Sequence, residues 1–358
     1  MKHTQITITL RLMLGLASAL PLQAAMAQTH STSGFMTLSY SLSDDSNRYL
    51  RNIDDKGTLR NGSIIGFQVD SRFTDKISTT VQVAAFESDR KENATRVDLK
   101  WANVNYRPSN QWLMRAGKLR NSLVLDAQNL DIGATYTPAR LPPEVYFSTN
   151  LLEYYGGSVT RYIELGRRTE LSLEAFVGRT DTNIRLISLP KSPNSQVRYV
   201  NTPLDLAGVN MRIDSGAYSA QVNLSRYNSD DPGFPLTVNA RTVGLRGPIG
   251  PVIGRFEYFN AAYPRSAGKP TVDSSALIVE KTFGKYTPYV SLAASDYLEV
   301  GSGKNNSTAL GVAYSLAPLS KLKGEINRIR TGADSFLFDS IPADREIRVM
   351  TLSYSTIF

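Results

Sequence analysis

Cysteine is absent from this chain of 358 residues and histidine nearly so, with His3 and His30 its only examples. Without thiols there is no disulfide framework, no cysteine nucleophile and no sulfur ligand for zinc. His3 falls in the N-terminal leader and His30 is expected in a tail ahead of the first strand, which leaves no histidine in the folded body. Ser-His and Cys-His catalysis then lack their base, so no catalytic, cofactor-binding or metal-binding residue is assigned and the chain reads as a non-enzyme. Long apolar runs are missing too. The stretch LMLGLASALPL is too short to anchor a helix in a bilayer, and 41% hydrophobic residues argue against a helical membrane protein. Nor do basic residues cluster with aromatics: the cations are spread singly, which argues against a nucleic-acid partner despite a formal net charge of +8.

What is present begins with an export signal. Lys2 and Arg11 supply the leader's charge, the apolar stretch follows, and Ala25 to Ala27 gives a small-x-small pattern before Gln28. Residues 1–27 therefore read as a cleaved signal peptide and residues 28–358 as one domain; the competing reading is a buried N-terminal helix. An exported chain without disulfides must hold itself together by backbone pairing and size.

From Gln28 onward the recurring unit is a segment of about ten residues with alternating polarity, the length that crosses a bilayer as a tilted strand. In YSAQVNLSRY, Tyr218, Ala220, Val222 and Leu224 oppose Ser219, Gln221, Asn223 and Ser225. FMTLSYSLS puts Met36, Leu38, Tyr40 and Leu42 on one face, and TALGVAYSL does the same with Leu310, Val312, Tyr314 and Leu316. The links sort these segments. Seven tight turns, such as TDK at 74–76 and DSG at 214–216, alternate with eight long polar connections: 44–61, 88–95, 119–155, 179–204, 228–236, 262–272, 297–306 and 331–345. That pattern predicts an all-β fold, a 16-stranded antiparallel transmembrane β-barrel with short turns on one side and long loops on the other. A soluble sandwich has no reason to sort its links in this way.

The chain stops inside an alternating segment, RVMTLSYSTIF. Strand edges cannot stay unpaired in hydrocarbon, so the last strand must pair with the first. Met350, Leu352, Tyr354, Thr356 and Phe358 form the outward set. Tyr354 and Phe358 read as the closure and terminal signal, with Phe358 at the inner rim of an aromatic girdle and Phe35 marking the complementary start. The 18 tyrosines and 2 tryptophans fit such a girdle.

The terminal phenylalanine behind alternating apolar residues, the sixteen strands and the outsized link after the fifth strand resemble the Gram-negative outer-membrane porins over the whole chain from Gln28. A sharper likeness lies in RAGKLRNSLVLDAQNLDIGATYTPARLPPEVY, Arg115 to Tyr146, which looks like the constriction stretch of one proteobacterial branch. The resemblance implies a homotrimer with the third loop folded into each lumen, an outer-membrane address among lipid and lipopolysaccharide, and a water-filled channel for passive diffusion of small hydrophilic solutes and ions.

The third loop is long enough to be functional, and Leu123, Val124, Leu125, Leu130, Ile132, Leu141, Val145 and Phe147 argue that it packs. It brings Asp126, Asp131 and Glu144. Facing it are expected Arg72, Lys100 and Arg115 from inward strand positions, with Lys118 and Arg120 at the loop root. Such opposed charges across a throat would sort solutes by charge and dipole. The plainer reading is that an inward arginine is merely solvated and that the loop acids pair with Arg120 or Arg140. The fourth strand, VDLKWANVNY, alternates in two phases that a bulge near Trp101 would reconcile. GSGKNNST at 301–308 lacks the strand-to-helix context of a phosphate loop and reads as an external loop. A solute-specific channel for an anion, sugar or organic acid, and a non-conducting structural or adhesin barrel, remain open.

Overall fold

The computed structural model describes residues 29–358 apart from 89, 147–151, 188–196, 232–234, 267, 299–302, 334, 341 and 343–344. The leader at 1–27 and Phe147 lie outside the described residues. Sixteen strands follow in order: β1 Thr29–Ser43, β2 Ile64–Arg72, β3 Ile77–Glu87, β4 Thr95–Ser109, β5 Trp112–Arg120, β6 Glu153–Gly166, β7 Thr169–Ile187 and β8 Val197–Ser215. They continue as β9 Tyr218–Ser229, β10 Leu236–Ile249, β11 Val252–Ala262, β12 Thr271–Glu280, β13 Tyr286–Leu298, β14 Asn305–Ala317, β15 Ser320–Thr331 and β16 Glu346–Ile357. Each pairs antiparallel with its neighbours in sequence, and β16 returns to β1, closing the barrel.

Closure runs along the expected line. Leu38 pairs with Tyr354 and Phe35 with Ile357, and the terminal residue adds a two-way bond: Gly34 N donates to Phe358 O at 2.6 Å and Phe358 N to Gly34 O at 2.8 Å. The Phe358 ring lies across Gly34, where a Cβ would collide with it, and meets Phe67 edge-on with centroids 5.8 Å apart.

Alternation decides which face is which. Leu38, Tyr40, Phe67, Leu224, Leu310, Ile326, Met350 and Leu352 point outward and are exposed, while the serines at 39, 41, 353 and 355 point inward. Register shows where the apolar belt ends. Leu310, Ile326, Met350 and Leu42 form one row across four strands; the next row on β14, β15 and β16 holds Thr308, Arg328 and Arg348.

The structure corrects three expectations. The first strand starts at Thr29, so His30 belongs to the sheet: β2 runs on to Arg72 and its backbone groups pair with residues 29–33. His30 Nδ1 lies 2.9 Å from Ser71 Oγ, its one side-chain partner among the described residues. Phe35, opposite in phase to Met36 and Leu38, turns inward, 3% exposed, with its ring over Gly66, and the β1–β16 ladder starts at its pairing with Ile357. The segment 179–204 is mostly strand, because β7 and β8 stay paired from Thr169–Ser215 out to Ile187–Val197. Above an apolar belt a ribbon needs no greasy outer face, so its polarity imitates a loop. Asn305 to Thr308 likewise lie in β14 rather than in a loop. The bulge in β4 falls where the two phases meet, its register shifting opposite Gln82 and Val83 so that Lys100 is the extra residue.

Two apolar clusters lie on the inner side. One joins Leu123, Val124, Leu141 and Val145 of the third connection to Leu204, Tyr227, Phe259 and other inward residues of β5 to β13. The other joins Tyr49, Leu50 and Ile53 of the first connection to Leu337 and Phe338 of the last, over Ile329, Ile347 and Val349.

Candidate functional site

The third connection links Arg120, the last residue of β5, to Glu153, the first of β6. It begins where β5 twists. Gly117 has φ +127°, and a Cβ there would meet the Ala102 carbonyl, so only glycine allows the close approach of β4. Beyond it Lys118, Leu119 and Arg120 are all buried.

Those cations meet acids at once. Lys100 Nζ lies 2.9 Å from Glu153 Oε1, Lys118 Nζ 3.1 Å from Glu153 Oε2 and 3.6 Å from Asp98 Oδ2, and Arg120 Nη2 2.5 Å from Asp131 and 3.1 Å from Glu153. Arg120 Nη1 also donates to the Ala127 carbonyl at 3.1 Å. Burial works to raise the Asp131 carboxyl, but Arg120 and Lys100 overcome it and hold it at about 2. The cluster thus fastens the start of the connection to both its ends, and three of the expected cations are engaged in it. Glu153, its centre, was not singled out in the sequence: it shares its phase with the exposed Tyr155, so alternation alone points it to the outer face.

The remainder of the connection is bonded to inward residues of distant strands. Lys323 on β15, 1% exposed, donates to the carbonyls of Gly133 at 2.6 Å and Pro138 at 2.9 Å. Tyr289 on β13 accepts from Ala139 N at 2.8 Å and donates to Glu325 at 2.8 Å. Arg140 donates to Ser41 Oγ of β1 at 2.8 Å. Asp126 pairs with Arg255 of β11, and Glu257, which accepts from Leu125 N at 3.0 Å, receives the Tyr146 hydroxyl at 2.5 Å. Glu144 is fully buried in the short helical turn Pro143–Tyr146 against β11, β12 and β13, and burial pushes its carboxyl up. The three loop acids therefore sit against three different supports. Arg255, Glu257 and Lys323 were missed, yet each alternates with an outward apolar residue: Phe256, Tyr258 and Leu322.

Between the connection and the β2–β5 wall lies a cavity of about 540 Å³. Arg72, Arg107 and Arg115 line it from the wall, with Gln128, Asn129 and Ile132 opposite. One inward row runs Arg72, Ser78, Asn105, Arg115, Ser158 across β2 to β6. Arg115 Nε donates to Ser158 Oγ at 3.1 Å, and its Nη2 pairs with Glu174 of β7. Arg72 and Arg107 have no carboxylate partner among the described residues; Arg107 lies over the Tyr162 ring, 5.5 Å from its centroid. A second cavity, of about 300 Å³, holds the Lys100, Lys118 and Arg120 cluster. Among the described residues no group of three or more His, Asp or Glu is placed to hold a metal ion.

No protein-family model and no curated protein matches the sequence. Solved structures do. The anion-selective porin from Comamonas acidovorans superposes with a TM-score of 0.62 at 12% identity, covering 92% of this chain and 99% of that one. OmpF of Salmonella typhi, solved with daunomycin, gives 0.61 at 12% over 92% and 97%, and OmpT of Vibrio cholerae in its trimer form 0.58 at 12% over 92% and 99%. At such identities the likeness establishes the fold, a 16-stranded porin barrel.

Proposed function

We propose that this barrel is an outer-membrane porin, a water-filled channel through which small hydrophilic solutes and ions diffuse passively, without cofactor or energy source. The observation that carries the reading is the third connection pinned to inward side chains of β1, β11, β13 and β15, with a polar cavity left between it and the β2–β5 wall. A sheet closed on itself with an apolar exterior suits a bilayer, and sixteen strands leave an aqueous interior.

On this reading the site residues divide their work. Arg72 and Arg115 border the narrowest passage. Lys100, Lys118, Arg120 and Asp131 brace the root of the loop, and Asp126 and Glu144 tie it down, so the cations face carboxamides of the loop more than its acids. Tyr354 and Phe358 form the terminal closure signal. Residues 1–27 are removed on export, the barrel assembles as a homotrimer, as the trimer form of the Vibrio cholerae OmpT structure suggests, and lipopolysaccharide surrounds its long-loop end.

Liposomes carrying the purified protein test this. Neutral sugars of increasing size are expected to enter at rates that fall smoothly with size and show no saturation. Impermeability to the smallest of them would favour a plugged structural barrel.

A further inference from the structure

We propose that the far ends of β7 and β8 form a strap across the long-loop mouth, and that Arg185 is the positioning residue that holds it there. Solutes are then sorted by size at the strap before they meet the third connection. This rests on the channel reading above and adds an outer sieve to it.

A reversal of faces comes first. β7 shows Val177 to the outside and buries Phe176 and Thr182 on its other side. Arg185 stands in the phase of Val177 and pairs across the ribbon with Tyr199 of β8. A ribbon rising straight from the wall would turn both side chains out into solvent. Instead Arg185 Nε lies 2.9 Å from Glu92 Oε1 of the second connection, and its Nη1 and Nη2 donate to Asp339 of the last connection at 2.7 and 2.9 Å. The Tyr199 hydroxyl donates to Glu92 and accepts from Arg51 of the first connection at 2.7 Å. Ile184, on the opposite face, packs against the inner apolar cluster. One face of the ribbon thus rests on the contents of the barrel while three connections cover the other, so the ribbon leans over the opening. Topology gives the span. β15 stands eight places from β7 in the ring of sixteen, and the last connection joins β15 to β16, so the Arg185–Asp339 pair ties opposite sides of the rim. A two-point pair of this kind fixes orientation as well as distance.

A second observation concerns the backbone. Leu50 and Arg51 have φ of 45° and 78°, a left-handed conformation that is costly for residues with a Cβ and persists where the surroundings impose it. Here Leu50 N donates to Leu337 O at 2.8 Å and Arg51 to the Ser88 carbonyl at 2.7 Å, and the strained turn delivers the Arg51 guanidinium to Tyr199. Asp339 is fixed in its turn: its N donates to Arg48 O at 3.1 Å, and the adjacent Phe338 ring meets Tyr49 with centroids 5.0 Å apart. Space remains behind the strap. The cavity of about 300 Å³ is bounded by Thr180 and Thr182 of β7, by Arg90 of the second connection and by Leu130 and Asp131 of the third. A solute that passes the strap meets the third connection next.

The test is polymer exclusion from single channels of the purified protein in planar bilayers. Polyethylene glycols of graded size are added to one side at a time, and the largest one that still lowers the current marks what that mouth admits. Wild type should admit smaller polymers from one side than from the other. Arg185→Gln and Asp339→Asn should each raise the lower limit at least about twofold in polymer mass and leave the higher one alone, since release of the strap widens one mouth only. Arg185→Lys, which keeps the charge and loses the fork, should fall between. Arg241→Gln, on the exposed outer face, should change neither limit. All four variants should unfold at the denaturant concentration of wild type, because the strand ladder is untouched. If current flows but the two mouths of wild type admit the same polymers, or neither Arg185→Gln nor Asp339→Asn moves the lower limit, or Arg241→Gln moves it as far, the strap is refuted while the channel stands. If no current flows at all, both readings fail together.

Discussion

Excising residues 123–145 and bridging the gap with a short glycine-serine link is expected to raise single-channel conductance at least about twofold, because on the proposed reading the connection narrows an interior that sixteen strands would otherwise leave open. The excised piece carries Asp126, Asp131, Arg140 and Glu144 together with most of the apolar residues that the inner wall covers. Its removal exposes Leu204, Tyr227 and Phe259, buried against it now, and takes the Gly133 and Pro138 carbonyls from Lys323 and Asp126 from Arg255. The same variant should therefore unfold at a lower denaturant concentration. An unchanged conductance in a folded variant would show that the connection does not limit the passage.

Arg120→Leu is the second change with a large expected effect. Arg120 is 2% exposed and pairs with both Asp131 and Glu153. Lys100 and Lys118 would still hold Glu153, but Asp131 would lose its close cation. Breaking a buried pair from one side typically costs about 3–5 kcal/mol, and removing both charges is far less harmful. Denaturant unfolding in lipid should show the loss, and Arg120→Leu combined with Asp131→Leu should recover much of it. The sign of the pH effect follows from Asp131. Its carboxyl is held at about 2, below the ordinary value of 3.8, so the stability it contributes is present above the ordinary value and is lost as pH falls through about 2. Wild-type channels should keep a steady open current from neutral pH to about pH 4 and become noisy only below it. If Arg120→Leu is as stable as wild type, the cluster does not brace the loop.

Much of the barrel was legible because lipid is a uniform solvent: every strand must show it an apolar face, and a period of two survives in the sequence wherever that demand holds. Leu310, Val312 and Tyr314, or Met350, Leu352 and Tyr354, could be assigned outward from alternation alone. The demand ends with the belt. Residues 180–187 and 197–204 were read as loop because they are polar, although their backbone ladder continues. The inward facing of Phe35 follows from the same alternation, being opposite in phase to Met36, Leu38 and Tyr40. His30 was misplaced because short polar residues pair as readily as apolar ones once a neighbour strand reaches them. At the site, alternation gave the inward facing of Arg72 and Arg115. It did not give partners. Glu153 joining Lys100, Lys118 and Arg120, or Arg255 reaching Asp126, depends on how the chain returns across the barrel, which no local pattern encodes.

The most direct measurement is the current through a planar bilayer, in salt alone, after addition of the purified folded protein. A closed cylinder with an apolar exterior and a wet interior should give discrete conductance steps that grow linearly with voltage. Folded protein demonstrably inserted in the bilayer that passes no current would contradict it.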